Sequence, residues 1–265
     1  MASSSLKKVS KNVTLSSFED WNPIDYLKDY YSHVEQDERY TIEFLVNEFK
    51  KIQNKPVAVE FGAGPTLHHV IPLAPYVSEI HMTDYLMSNL HELTKWQKLK
   101  RGSHNWNEFT KFTLGCEGKV NVTEGEIAER ESLVRKKITK YFLSDASKQN
   151  PLGEKLRETY EFVLSCYCAD SATDSREVWY EYMKNIVSLL KPGGFFVTTA
   201  LRNCQHYRVG ERFFPCAYVN EQDFKMLLQD LDFNMSTVSI IVKNVPEHKE
   251  VGYESIVLVS GFKNK

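Results

Sequence analysis

Residues 57–66, VAVEFGAGPT, restrict this chain more than any other stretch. Val57, Val59 and Phe61 carry the β-branched and aromatic side chains of a buried strand, and a Gly-Ala-Gly turn follows without a break. Gly62 and Gly64 allow backbone torsions and a close ligand approach that a Cβ would forbid. Pro65 suits a first helical turn, where its missing N–H leaves nothing unpaired. The spacing predicts strand, glycine turn and helix start, with free N–H groups facing a nucleotide-type ligand.

The pattern repeats downstream. Residues 80–84 read as a second strand ending at Asp84, followed by a helix with Leu86, Leu90 and Leu93 on one face. Residues 141–145 read as a third strand ending at Asp145, and residues 162–168 as a fourth. Asp174 and Glu177 make a capping box for a helix burying Val178, Tyr182, Ile186 and Leu189, which stops at Lys191-Pro-Gly-Gly before a fifth strand over 195–201. Asn220 and Asp223 open a last helix with Phe224, Leu227, Leu228 and Leu231 inward. The runs 238–242 and 256–259 are too close for a helical crossover and pair antiparallel at the sheet edge. Residues 100–140 carry little pattern beyond a mixed-charge, solvated helix over 124–140.

Alternating strands and helices predict an α/β fold: a Rossmann-like, seven-stranded, mostly parallel sheet with helices on both faces and an antiparallel C-terminal edge. With 265 residues and 42% apolar composition, one domain over 1–265 is expected. It comprises a mobile polar tail over 1–15, a helical lid over 20–54 built around Trp21, Pro23, Tyr26 and Tyr30, and a cofactor-binding core over 55–265 with substrate-side insertions. A net charge of −2 gives no field for nucleic acid or an anionic membrane. No segment approaches the apolar length of a membrane span or the pattern of a signal peptide. Five cysteines form no disulfide framework, so a cytoplasmic location is expected, with the sequons at Asn12, Asn121 and Asn234 read as chance matches; a monomer is expected as well.

Leu67 stands where a dinucleotide fingerprint has its third glycine, which argues against a dehydrogenase. Glu60, Gly62 and Gly64, with Asp84 and Asp145 at two strand ends, describe an acidic crevice able to accept hydrogen bonds from ribose hydroxyls or an adenine amino group. With no Lys or Arg in the glycine loop, that crevice suits a cationic cofactor without phosphates, such as S-adenosylmethionine.

Asn22-Pro-x-Asp-Tyr-Leu27 with Tyr30-Tyr31, Gly62-Ala-Gly-Pro-Thr66, Thr83-Asp-Tyr85 with Asn89-Leu90, Asp145, Pro151-Leu-Gly153, Leu164-Ser165 and Lys191-Pro-Gly-Gly-Phe195 occur in order from Trp21 to the C-terminus. In these motifs the chain resembles the nicotinamide, phenylethanolamine and indolethylamine N-methyltransferase family. The resemblance implies transfer of a methyl group from S-adenosylmethionine to a small amine or N-heterocycle, leaving S-adenosylhomocysteine. It places Tyr26, Tyr31, Gly62, Gly64, Thr66, Asp84, Asn89, Asp145, Ala146 and Cys166 at the cofactor, Asp84 on the ribose and Asp145 on the adenine. On the substrate side it places Ala200, where the family's nicotinamide enzyme has Asp, Cys216, where it has Ser, and Tyr207. His68 and His206 stand where the family has tyrosines.

No covalent nucleophile or metal is expected; Tyr26, Tyr207 and His206 are the candidates to assist the reaction. Two alternatives remain at this point: methylation of a small thiol or selenol, and a catalytically weak cofactor-binding module, motivated by Ala200.

Overall fold

The computed structural model describes residues 14–265. The expected tail and the Asn12 sequon fall outside these residues, except that Leu15 forms a parallel bridge with Phe213.

The lid comes first: α1 (Pro23–Tyr30) and α2 (Gln36–Phe49). Asn22 caps α1, its Oδ1 accepting from the N–H groups of Ile24 and Asp25, with Pro23 at the first helical position. Then follow β1 (Val57–Phe61), α3 (Val70–Leu73), β2 (Glu79–Asp84), α4 (Met87–Gln97), α5 (Asn107–Cys116), α6 (Glu124–Lys137), β3 (Ile138–Leu143), β4 (Tyr160–Cys166), α7 (Arg176–Val187), β5 (Leu190–Leu201), β6 (His206–Val209), β7 (Arg212–Pro215), α8 (Glu221–Asp230), β8 (Ser239–Asn244) and β9 (Ser255–Phe262). The strands make a seven-stranded sheet in the order β3-β2-β1-β4-β5-β9-β8. The first five run parallel, and β9 pairs antiparallel with both β5 and β8.

Side-chain alternation sorts each central strand between two cores. Ala58, Phe162, Leu164 and Val197 join the core beneath α2, where Phe49 meets Phe162 edge-on at 5.5 Å. Val59, Phe61, Val163, Phe196 and Ala200 join the core beneath α7 and α8. Both faces of the sheet are covered, which is why these strands read as continuous apolar runs.

Several expectations shift. The third strand begins at Ile138 and ends at Leu143, so Asp145 lies in the following turn. The fourth ends at Cys166, and Cys168 therefore does not share its face. Helix α7 is capped by Ser175, not Asp174, its Oγ accepting from Val178 N–H. Its buried residues are Trp179, Met183, Ile186 and Val187, while Val178 is 37% exposed. Moving one residue along a helix turns its face by about 100°, and the large indole of Trp179 takes the inward position. The charge-rich α6 still buries Ile127, Glu131 and Val134, with Glu131 paired to Arg135 at 2.8 Å. The hairpin of β6 and β7 has no counterpart in the sequence reading. No helix among the described residues is long and apolar enough to cross a membrane.

Candidate functional site

A cavity of about 500 Å³ opens at the carboxyl ends of β1, β2 and β4, the place where strand order reverses. Its wall includes Gly62, Gly64, Thr66, Asp84, Asn89, Asp145, Ala146 and Cys166, and Tyr26 and Tyr31 come down on it from the lid. All ten residues expected at the cofactor thus border one space.

The glycine turn is tightly determined. Gly62 has φ +70°, and a Cβ there would lie 2.1 Å from Cys168 Sγ, so only glycine lets the turn pack against the segment beyond β4. Gly64, at φ +61°, faces open space: the nearest atoms to its Cβ position are Thr66 Cγ2 and Tyr26 Cε1, both at 3.9 Å. The helix predicted to start at Pro65 does not; α3 begins at Val70 and has four residues. Instead the loop folds on itself. Ala63 N–H donates to Thr83 O, Gly64 N–H to Asp84 Oδ2, and Thr66 Oγ1 to Ala63 O, each at 2.8 Å.

Asp84 is the hub of this arrangement. Its Oδ2 takes the Gly64 N–H, and Oδ1 accepts from Leu86 N–H at 2.7 Å and Asn89 Nδ2 at 3.0 Å. Asn89 Oδ1 accepts in turn from the Trp21 indole at 3.0 Å, which links strand end, helix α4 and lid in one chain. Burial pushes the Asp84 carboxyl above its usual range, and the three donors oppose that shift. Asp145 is less committed: Oδ1 accepts from the Ser147 N–H and hydroxyl, and its side chain is partly exposed.

The lid presents aromatic faces. Tyr26 packs against Trp21 at 4.8 Å and Tyr30 at 5.2 Å, and its hydroxyl meets that of Tyr31 at 3.2 Å. Tyr30 donates to Arg208 O at 2.7 Å, tying α1 to the hairpin of β6 and β7. Burial raises the phenol pKa of Tyr26, Tyr30 and Tyr31, so these walls are neutral at physiological pH. Tyr167, which also borders the cavity, holds φ +50° with its hydroxyl 2.7 Å from Thr41 Oγ1, a strained backbone at the site.

Of the residues expected at the substrate, Tyr207 borders the cavity and donates to Ser171 O at 3.3 Å. Ala200 does not: alternation along β5 turns it into the core beneath α7 and α8, and Leu201 faces the cavity instead. Cys216 is buried beside Cys204 and His206 packs on Phe213; neither borders the cavity. Asp170 belongs to no motif in the sequence. Its Oδ2 accepts from Leu201 N–H at 2.9 Å and from Ser171 Oγ at 3.4 Å, and both of those residues line the cavity. Complete burial pushes its carboxyl up to about 7. The rule that selected Asp84 and Asp145, an acid beyond the end of a parallel strand, selects Asp170 too once β4 is seen to end at Cys166.

The donor set fits a cationic nucleoside cofactor. A carboxylate offers about four acceptor positions, and Asp84 uses three within the protein, leaving room for a ribose hydroxyl. Gly64 leaves its flank open, and no Lys or Arg is among the lining residues.

Comparisons with known proteins give the family and the fold. A model of the NNMT/PNMT/TEMT family matches residues 11–263. The chain is 28% identical over 218 residues to an indolethylamine N-methyltransferase of Mus musculus, covering 80% of this chain and 81% of that protein. It is 28% identical over 239 residues to a nicotinamide N-methyltransferase of Homo sapiens, covering 88% of each. A crystal structure of an S-adenosylmethionine-dependent methyltransferase from Methanosarcina mazei shares the fold with a TM-score of 0.52 at 10% identity, over 83% of this chain and 98% of that one.

Proposed function

The chain belongs to the NNMT/PNMT/TEMT family, and from that premise we propose an enzyme that methylates the nitrogen of a small amine or N-heterocycle with S-adenosylmethionine as donor. One observation carries the reading: the glycine turn, Asp84 at the end of β2, Asp145 beyond β3 and the tyrosine lid enclose one cavity. S-Adenosylmethionine brings its methyl group already activated on a sulfonium, so no covalent nucleophile on the protein is required.

The chain's own residues bind, orient and exclude water. Asp84 holds the ribose hydroxyls, with Asn89 and Leu86 N–H fixing its carboxylate, and Asp145 takes the adenine edge. The faces of Tyr26 and Tyr31 stand near the sulfonium, each worth about 0.5–2 kcal/mol as a cation–π contact. The substrate enters beside Tyr207, Ser171 and Leu201. Its nitrogen must be unprotonated to react, and the Asp170 carboxylate, poised by burial at about 7, takes the proton by way of the Ser171 hydroxyl 3.4 Å away. Asp37, Glu38 and Tyr253 complete the wall. Within this reading the enzyme works in the cytoplasm, where thiols stay reduced, in keeping with five free cysteines, and as a monomer.

Two experiments bear on this. Calorimetry tests cofactor binding, with a saturable titration expected. Mass spectrometry of an amine, heterocycle and thiol panel incubated with cofactor tests the acceptor, with methylated nitrogen expected and Asp84→Ala inactive. Product from thiols alone would replace the nitrogen reading, and tight cofactor binding with no product on any acceptor would replace the enzyme reading.

A further inference from the structure

Glu38 on α2 and the consecutive His68 and His69, which follow the glycine turn, converge on one point inside the protein. A ligand-capable atom from each lies within 4.8 Å of those of the other two. The three residues are 4%, 0% and 3% exposed. Glu38 Oε2, both His68 nitrogens and His69 Nε2 have no hydrogen-bond partner. His68 Nε2 and Glu38 Oε2 approach to 2.8 Å, yet they are not aligned as a hydrogen bond. A buried polar atom without a partner is costly, and one such atom from each of the three residues is relieved by a single cation.

The surroundings resemble a metal centre in two further respects. His69 Nδ1 meets Glu60 Oε1 at 2.9 Å. With Nδ1–H donating to that carboxylate, Nε2 carries the free lone pair, which is the carboxylate–histidine support that orients metal ligands. Ligand atoms about 2.0–2.2 Å from one ion lie on the order of 3 Å from each other, a spacing the Glu38–His68 approach already has.

We propose that Glu38, His68 and His69 bind a divalent transition-metal ion of the Zn²⁺ class, with Glu60 as the supporting carboxylate. Two imidazoles and one carboxylate form a donor set used by zinc sites that keep an open position, whereas Ca²⁺ and Mg²⁺ prefer all-oxygen ligands. The carboxylates of Glu38 and Glu60 balance the ion's charge. The ion fastens lid helix α2 to the segment after the glycine turn, and it borders the cavity because Glu38 and His69 both line it. The neighbouring group of Glu35, Asp37 and His248 is different in kind. There the Asp37 carboxylate is already engaged by the Tyr253 hydroxyl at 2.7 Å and by Glu38 N–H at 2.8 Å, and Glu35 is exposed.

The test is equilibrium dialysis of the full chain against Zn²⁺ with metal analysis, together with the absorption spectrum of the Co²⁺-loaded protein. About one tightly held ion per chain is expected, with Co²⁺ bands of a four- or five-coordinate site. Glu38→Gln, His68→Gln and His69→Gln should each abolish stoichiometric binding, Glu60→Gln should weaken it by roughly 10–100-fold, and His248→Gln should leave it intact. Circular dichroism and cofactor titration report whether each variant folds. Absence of stoichiometric Zn²⁺ in folded wild-type protein, a Co²⁺ spectrum of the hexaaquo ion, or undiminished binding by the three ligand variants would overturn the proposal. The wild-type measurements decide it even where a variant does not fold.

Discussion

Replacing Asp84 by Asn changes the hub of the site with almost no change in volume. The wild-type carboxylate accepts three donors, Gly64 N–H on one oxygen and Leu86 N–H and Asn89 Nδ2 on the other. An amide has one acceptor oxygen. Its better orientation keeps the two donors on that oxygen and turns its NH₂ toward the Gly64 N–H, leaving one buried backbone donor unsatisfied at a cost of about 1–3 kcal/mol. The two retained bonds also lose their charge assistance. Against this, the variant no longer buries a charge, the penalty that raises the wild-type carboxyl, so the net loss of stability is put at about 1–3 kcal/mol. For a chain of this size that is about 2–6 °C in Tm.

The effect on cofactor binding is larger, since the ribose hydroxyls lose a charged acceptor on a turn whose Gly64 is no longer held. A loss of about 2.7 kcal/mol corresponds to about 100-fold in Kd. Calorimetry with S-adenosylmethionine and thermal melting, run on the same preparations, separate the two effects. A folded variant that binds cofactor within about threefold of wild type would refute the role given to Asp84.

Asp170→Asn tests the proton acceptor. Wild-type activity should rise through about pH 7 as the carboxylate forms, and the variant should lose that limb of the pH–rate profile along with most of its turnover; an unchanged profile removes Asp170 from the mechanism. Because its folded pKa lies above the usual carboxylate value, Asp170 favours the fold at low pH and loses that contribution as pH rises from about 4 to 7. Melting against pH should therefore flatten over that window in the variant. Gly62→Ala places a Cβ 2.1 Å from Cys168 Sγ at φ +70°, and a fall in stability of at least about 1–3 kcal/mol is expected from strain and overpacking; a melting temperature equal to wild type contradicts the packing described. Tyr26→Leu should weaken S-adenosylmethionine binding by about 2–30-fold through loss of the cation–π contact. The same substitution should affect the neutral product S-adenosylhomocysteine much less, and equal losses for both would assign Tyr26 to packing alone.

The sheet, its antiparallel edge and the glycine turn were legible because strand periodicity and glycine torsions are local properties. Asp84 followed from the same local logic, while Asp145 borders the cavity from the loop beyond β3 and not from a strand end. On α7, Ile186 faces inward as the spacing predicts, whereas Trp179 and Met183 take the inward positions expected of Val178 and Tyr182, because Val178 and Trp179 are adjacent apolar residues and local pattern does not decide which of them packs. Asp170 escaped notice because its importance depends on where β4 stops and on the Leu201 N–H, 31 residues away in sequence. Ala200 marks the opposite case: family position drew attention to it, while strand alternation directs it away from the cavity. The meeting of Glu38 with His68 and His69 joins the lid to the core, a long-range contact that no local pattern encodes.

The most direct test of nitrogen methylation is mass spectrometry of products formed from S-adenosylmethionine and a mixed panel of primary amines, N-heterocycles and thiols. The account predicts a one-methyl increment located on nitrogen by fragmentation, dependent on wild-type protein and absent with Asp84→Ala. Methylated thiols without methylated nitrogen, or no methylated product from protein that binds the cofactor, would contradict it.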